Sequence, residues 1–101
     1  MHVVEIFLPS FDTEGRRFGQ ELYGRVREEL IERFGGLTAF TRSPAEGLWE
    51  NDGERSRDEI VIFEVMAEAL ERGWWANYRR ELERRFAQEA IVIRARETLL
   101  L

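Results

Sequence analysis

Glu5, Glu64 and Arg94 each interrupt a short apolar run, and Arg42 closes another strand-like run. A carboxylate among apolar neighbours is a candidate general acid or base. An arginine in the same setting presents a planar fork that fits a carboxylate or another anion. Glu64 is therefore the candidate acid or base, with Arg42 and Arg94 as anion binders and Glu5 beside them. Trp49 and Glu46 stand close together on the connection 43–58. A tryptophan there either lines a pocket or plugs the end of a core, and the carboxylate either serves the pocket or is solvated. Other chemistries lack material. The chain has no cysteine and one histidine, His2. That excludes thiolates, disulfides and multi-His metal centres, and a Ser-His-Asp triad would have to rest on a residue at the N-terminus, where side chains are usually poorly fixed. No metal and no cofactor are expected.

Six elements must position these residues. Residues 2–8 are apolar and β-rich and stop at Pro9-Ser10, as a strand does. In 17–34, Phe18, Leu22, Val26, Leu30 and Phe34 recur every fourth residue, which is one face of a helix. Gly35-Gly36 ends it, glycine being suited to the left-handed turn after a helix. Residues 37–42 and 59–66 read as strands. Residues 70–88 read as a second helix with Trp74, Trp75, Tyr78, Leu82 and Phe86 on one side. Residues 90–96 form the last strand, and 97–101 an apolar tail. The order is βαββαβ. It predicts an α+β, ferredoxin-like domain over residues 1–101, a four-stranded antiparallel sheet with two helices on one face.

Side chains alternate between the two faces of a strand. One face collects Val4, Ile6, Leu8, Leu37, Ala39, Thr41, Val61, Phe63, Val65, Ile91, Ile93 and Ala95, and is expected under the helices. The other collects Val3, Phe7, Phe40, Ile60, Ile62, Met66 and Val92 together with the four charged residues and Arg96. So much apolar surface on an open sheet face calls for a cover, and a second copy of the chain would supply it as a homodimer. In the expected sheet order the charges run Arg94, Glu5, Glu64, Arg42, so that each acid has a cation on a neighbouring strand. Two readings follow. In the first, the pairs are structural, and the protein is a homodimeric binding or regulatory module without catalysis. In the second, it is a small-molecule enzyme of the dimeric α+β barrel type. Its pocket would lie between the sheet face and the 43–58 loop and take a small anionic ligand.

Asn51-Asp52-Gly53 is a two-residue hairpin turn signal. Pairing Asn51 with Glu54 and continuing regularly would bring Arg42 opposite Phe63, which belongs to the other face. The hairpin is therefore expected to be discontinuous with the main sheet. Trp74 and Trp75 point about 100° apart on a helix, so one is expected in the core and the other at an edge. Arg79, Arg80, Arg84 and Arg85, interleaved with acids, read as a solvated helix face. Gln88-Glu89 reads as a helix end, or as a polar contribution to a cleft.

The segments Gly35-Gly36-Leu37-Thr38, Gly47-Leu48-Trp49 and Gln88-Glu89-Ala90-Ile91 form a Gly-Gly-x-Thr, Gly-x-Trp, Gln-Glu-small-aliphatic pattern over roughly residues 34–93. In this the chain resembles small uncharacterised bacterial proteins of about 100 residues. The resemblance implies a ferredoxin-like fold and transfers no catalytic residue.

All 15 basic side chains are arginine, and 20 acids bring the net charge to -5. An acidic domain without a basic run is a poor binder of nucleic acid or of an anionic membrane surface. No segment has the composition of a signal peptide or a membrane span, and a cytoplasmic protein is expected.

Overall fold

The computed structural model describes residues 1–42, 50–51, 54–55 and 59–101. In chain order the elements are β1 (His2–Pro9), α1 (Gln20–Phe34), β2 (Thr38–Arg42), β3 (Glu50–Asn51), β4 (Glu54–Arg55), β5 (Ile60–Ala67), α2 (Arg72–Arg85) and β6 (Ile93–Glu97). The period-2 alternation of β1 and β5 turns Val4, Ile6, Leu8, Phe63 and Val65 toward the helices, where they are buried. The four-stranded sheet runs β2-β5-β1-β6, and every neighbouring pair is antiparallel. This is the ferredoxin-like α+β arrangement, with the first and third long strands at the centre.

From α1, Tyr23, Val26 and Leu30 enter the core, and from α2, Trp75, Tyr78 and Leu82. Phe86 and Ile91, just beyond α2, complete it. α1 ends at Gly35, whose φ of 80° lets its N–H close on the Ile31 carbonyl. Trp74 and Trp75 divide between core and edge as expected, yet stay in contact. Their rings meet edge to face, Trp74 stacks on Tyr78, and Phe34 stacks on Trp75. Trp75 is buried, and Trp74 is half-buried beneath the Arg33 guanidinium, 4.2 Å from its ring.

Three expectations change. Ala39, Thr41 and Ala95 are exposed, because they sit on the edge strands while the helix-side core gathers on the central β1 and β5. On the opposite face Val3 and Ile62 are buried within the single chain. Each is flanked on both sides, Val3 by Met66 and Arg96, Ile62 by Phe7 and Phe40. Lastly, the arginines of α2 are not all solvated. Arg85 retains only 7% of its side-chain exposure, and it reaches across to α1, where its Nη2 donates to Glu29 Oε2 at 2.8 Å. Tyr78 donates to the same carboxylate.

The hairpin pairs as its turn signal predicts, Asn51 with Glu54 and Glu50 with Arg55, and it forms a separate two-stranded sheet. In the main sheet Arg42 lies opposite Ile60, three positions off the register that the hairpin would propagate. No described helix is long and apolar enough to cross a membrane.

Candidate functional site

Sheet register decides which predicted site residues meet. Glu5 lies opposite Glu64 on one side and opposite Arg94 on the other. Arg94 Nε donates to Glu5 Oε1 at 3.2 Å, and its guanidinium lies 4.8 Å from the Phe7 ring centre. Two like charges directly opposite each other are unfavourable, and Arg96 relieves them. Its guanidinium donates to Glu5 at 2.8 Å and comes within 3.7 Å of Glu64. Arg42 is not placed beside Glu64. Glu64 faces Thr38, and Arg42 is four positions away along β2, about 13 Å at strand rise. Glu5, Glu64, Arg94 and Arg96 thus form an ion-paired cluster in the middle of the open face. Trp49 and Glu46 lie outside the described residues.

A cavity of about 710 Å³ opens elsewhere, where β1 ends and β5 begins. Its walls come from four segments: the end of β1 (Phe7 to Pro9), the loop that follows, Glu59-Ile60 before and in β5, and residues 88–92 before β6. By register, Arg42 ends β2 at this same end of the sheet.

The loop after β1 is folded, which is why α1 begins at Gln20 and not at Arg17. Asp12 Oδ1 accepts from the backbone N–H groups of Glu14 and Arg16, both at 2.8 Å. A short-side-chain acid commonly holds a turn in this way. Gly15 supplies the positive φ of 80° that the turn needs. The loop closes on itself with a Phe11–Arg17 bridge, and the Arg17 guanidinium lies 4.6 Å from the Phe11 ring centre. Arg17 also pairs with Glu59 at 3.2 Å. Ser10 N–H donates to the Glu59 carbonyl, and the Ser10 carbonyl accepts from Phe18 N–H.

The Ser10 side chain is the exception in this well-bonded loop. Ser10 is only 3% exposed, and its Oγ has no hydrogen-bond partner among the described residues. It lines both the main cavity and a smaller one of about 130 Å³ under α1. Tyr23 supports this corner by donating to the Pro9 carbonyl at 2.5 Å. Burial raises the Tyr23 phenol above its ordinary pKa, against the opposing pull of Arg17, so it stays a neutral donor.

The opposite wall depends on how α2 ends. Gln88 N–H returns to the Glu83 carbonyl and Ala87 N–H to the Arg84 carbonyl, the paired bonds of a Schellman motif. Its left-handed position is held by Ala87 at φ 48°, where glycine is usual. The chain then passes Gln88 and Ala90 along the cavity. Glu83 pins it there, accepting from Ile91 N–H at 3.0 Å while receiving Arg79 at 3.1 Å. With 15% side-chain exposure, Glu83 is a positioning residue and not a member of a wet helix face.

The site therefore combines the Phe7 and Phe11 rings with one unpartnered hydroxyl, the carboxylates of Asp12 and Glu59, and the Gln88 amide. No cation stands among its described lining residues. Sequence reasoning had singled out Gln88 alone of these polar groups. Ser10 had been read only as the end of a strand, and a serine directly after an apolar β run was the signal available.

No protein-family model and no curated protein matches this chain. Among solved structures it is similar to a phage SAM lyase in complex with S-methyl-5'-thioadenosine. The identity is 16%, the TM-score is 0.62, and the match covers 95% of this chain and 80% of that chain. At that identity the likeness concerns the fold, and it agrees with the ferredoxin-like topology described above.

Proposed function

We propose that the protein is a small-molecule enzyme whose site is the cavity at the end of β1, and that its ligand is a nucleoside thioether or sulfonium. The observation that carries this reading is the buried, unpartnered Ser10 hydroxyl in the wall of a cavity with four further polar side chains, Asp12, Thr13, Glu59 and Gln88. A polar group is costly to bury without a partner, and a ligand atom that displaced the wall around it would satisfy it. The volume is in the range of small-molecule sites, ~300–1,000 Å³. Glu59 is paired with Arg17, and the Phe11 and Phe7 rings carry Arg17 and Arg94; Asp12 is the charge in the wall with no ion-pair partner among the described residues, and it suits a cationic or neutral ligand better than an anionic one. The fold similarity to a lyase bound to a methylthio-nucleoside supports the ligand class.

In this reading Phe7 and Phe11 flank the apolar parts of the ligand, and Ser10 and Gln88 hydrogen-bond its polar edges. Asp12 attracts the sulfonium. When such a ligand's own carboxylate oxygen forms a bond to a carbon attached to the sulfonium, the carbon–sulfur bond breaks and its pair stays on sulfur, which leaves as a neutral thioether. No acid is needed for that leaving group, and the product has lost the charge that drew the substrate in.

Calorimetry with SAM and with S-methyl-5'-thioadenosine tests the ligand class, and mass spectrometry of a SAM incubation tests turnover. Binding of both compounds is expected, with Ser10→Ala weakening both. Asp12→Asn keeps a turn-forming oxygen and should weaken SAM selectively. Absence of binding at millimolar ligand would overturn the ligand class. Binding without formation of the thioether would return the protein to the non-catalytic binding module.

A further inference from the structure

The smaller cavity of about 130 Å³ under the start of α1 shares Ser10 and Glu59 with the main one. Its charge is of the opposite sign. The main cavity is lined by Asp12 and Glu59 with no described cation, whereas the smaller one has Arg17 and Arg27 beside Glu59 alone. Arg27 is half-buried, with its guanidinium 5.8 Å from the centre of the fully buried Phe63 ring. It runs back along α1, so that its Nη2 lies 4.0 Å from where a Cβ on Gly24 would stand. Among the described residues the cavity's one carboxylate, Glu59, is paired with Arg17, and Arg27 is left without one. The Tyr23 hydroxyl in the same wall is committed to the Pro9 carbonyl. A guanidinium carries several N–H donors, and donors held away from water without an acceptor cost stability. Gln20, also in the wall, begins α1 with no side-chain cap, and an uncapped helix start favours an anion.

We infer, on the reading that the main cavity holds a nucleoside sulfonium, that the smaller one takes the carboxylate of the same ligand, with Arg27 as its main partner. Two adjoining cavities of opposite charge recognise a zwitterion. The cation of the ligand faces Asp12, and its carboxylate meets a planar fork of the kind that binds carboxylates through paired hydrogen bonds. At about 130 Å³ the pocket falls below the range of whole small-molecule sites, ~300–1,000 Å³, and suits a single functional group. Ser10 and Glu59 form the shared wall, so a ligand that spans both cavities displaces the wall around the Ser10 hydroxyl and reaches it. Arg27 then determines specificity, because it separates a ligand that carries a carboxylate from one that ends at the thioether.

Calorimetry on the full chain compares SAM, which carries a carboxylate, with S-methyl-5'-thioadenosine, which has none. Arg27→Gln is expected to weaken SAM by at least about tenfold and to leave S-methyl-5'-thioadenosine within about twofold of the wild type. Arg27→Lys keeps the charge without the fork and should fall between the two. Circular dichroism checks that both variants fold. In the wild type, the Arg27 Nε–H resonance should shift with SAM and stay in place with S-methyl-5'-thioadenosine, a readout that needs no variant. Equal weakening of the two compounds by Arg27→Gln, or of neither, would overturn the carboxylate site and leave the ligand class of the main cavity intact. Acetate serves as a free carboxylate. If it moved the Arg27 resonance in the presence of saturating SAM, the pocket would be a separate anion site, and the shared ligand would be ruled out. A wild type that bound neither compound would remove the reading of the main cavity and this one with it.

Discussion

Ser10 and Ala87 each hold a local conformation that costs stability, and both stand beside the cavity. An unsatisfied buried hydroxyl costs roughly 1–3 kcal/mol, and removing it can be neutral or stabilising. Ser10→Ala is accordingly expected to leave the ligand-free protein as stable as the wild type, or up to about 1 kcal/mol more stable, while ligand affinity falls. Urea denaturation alongside calorimetry would show the two effects moving in opposite directions. If Ser10→Ala destabilised the protein, the hydroxyl would be making a bond, and its role as a ligand partner would fail. Ala87 is in the left-handed region at φ 48°, which costs a side-chain-bearing residue roughly 1–2 kcal/mol. Ala87→Gly is expected to stabilise the protein by about 1 kcal/mol, the gain reduced by the greater freedom of glycine in the unfolded chain. A thermal melt with an unchanged or lower midpoint would contradict the strain assigned to Ala87.

Elements in this fold are joined by a few charged groups whose removal has distinguishable consequences. Glu29 and Arg85 tie α1 to α2. The Arg85 hydrogen bonds hold the Glu29 carboxyl below its ordinary value of 4.5, against the opposing effect of burial, and Glu29 in turn raises the Arg85 guanidinium. A lowered carboxylate pKa contributes stability that is fully present above the unfolded value and is lost as pH falls through the folded one. Glu29→Gln should therefore destabilise the protein by about 1–3 kcal/mol at neutral pH. The deficit should shrink as pH drops below 4.5, where the unfolded chain takes up a proton that the folded carboxylate accepts only at lower pH. Equal deficits at neutral and acidic pH would contradict the ion pair as the source. Glu83 joins α2 to the strand that follows. In Glu83→Ala the Ile91 amide loses its acceptor, and hydrogen exchange at that amide should accelerate well beyond the change seen in α1. Affinity at the cavity should fall with it, because Gln88 and Ala90 belong to the same pinned segment. Exchange at Ile91 that tracked the global loss of stability would instead mean that the segment is held by the core alone.

Across the whole molecule, the parts legible in the sequence are those that short periods encode. Alternation assigned Val4, Ile6, Phe63 and Val65 to the helix side, and Glu5 and Glu64 to the other. The βαββαβ order was enough to place the long strands. Register is a different kind of information. It depends on how far each strand slides along its neighbour, and nothing local to Arg42 indicates that it faces Ile60 while Glu64 faces Thr38. For the same reason Arg96, and not Arg42, proved to be the cation shared by the two acids. The cavity was the least legible part. Its loop is folded by the Asp12 carboxylate accepting two backbone N–H groups and by a left-handed Gly15, contacts that leave no periodic trace. Its other wall depends on Glu83 reaching Ile91 as well as Arg79 four residues before it, and helical spacing shows only the second of these. The conjunction of Ser10, Glu59 and Gln88, far apart in sequence, exists only once the sheet has assembled.

The pairing of β1 with β6 also has a mechanical side. His2 lies opposite Glu97, and the Met1 carbonyl receives Thr98 N–H, so the two ends of the described chain leave the same edge of the sheet side by side. A load applied between them would act across the ladder and not along it, breaking the β1–β6 hydrogen bonds one after another from Met1 toward Phe7. The chain should therefore yield at low force by unzipping, with β6 peeling away first. Load applied instead between His2 and Ile60, which lie at opposite ends of the paired central strands β1 and β5, would act along the ladder and meet greater resistance.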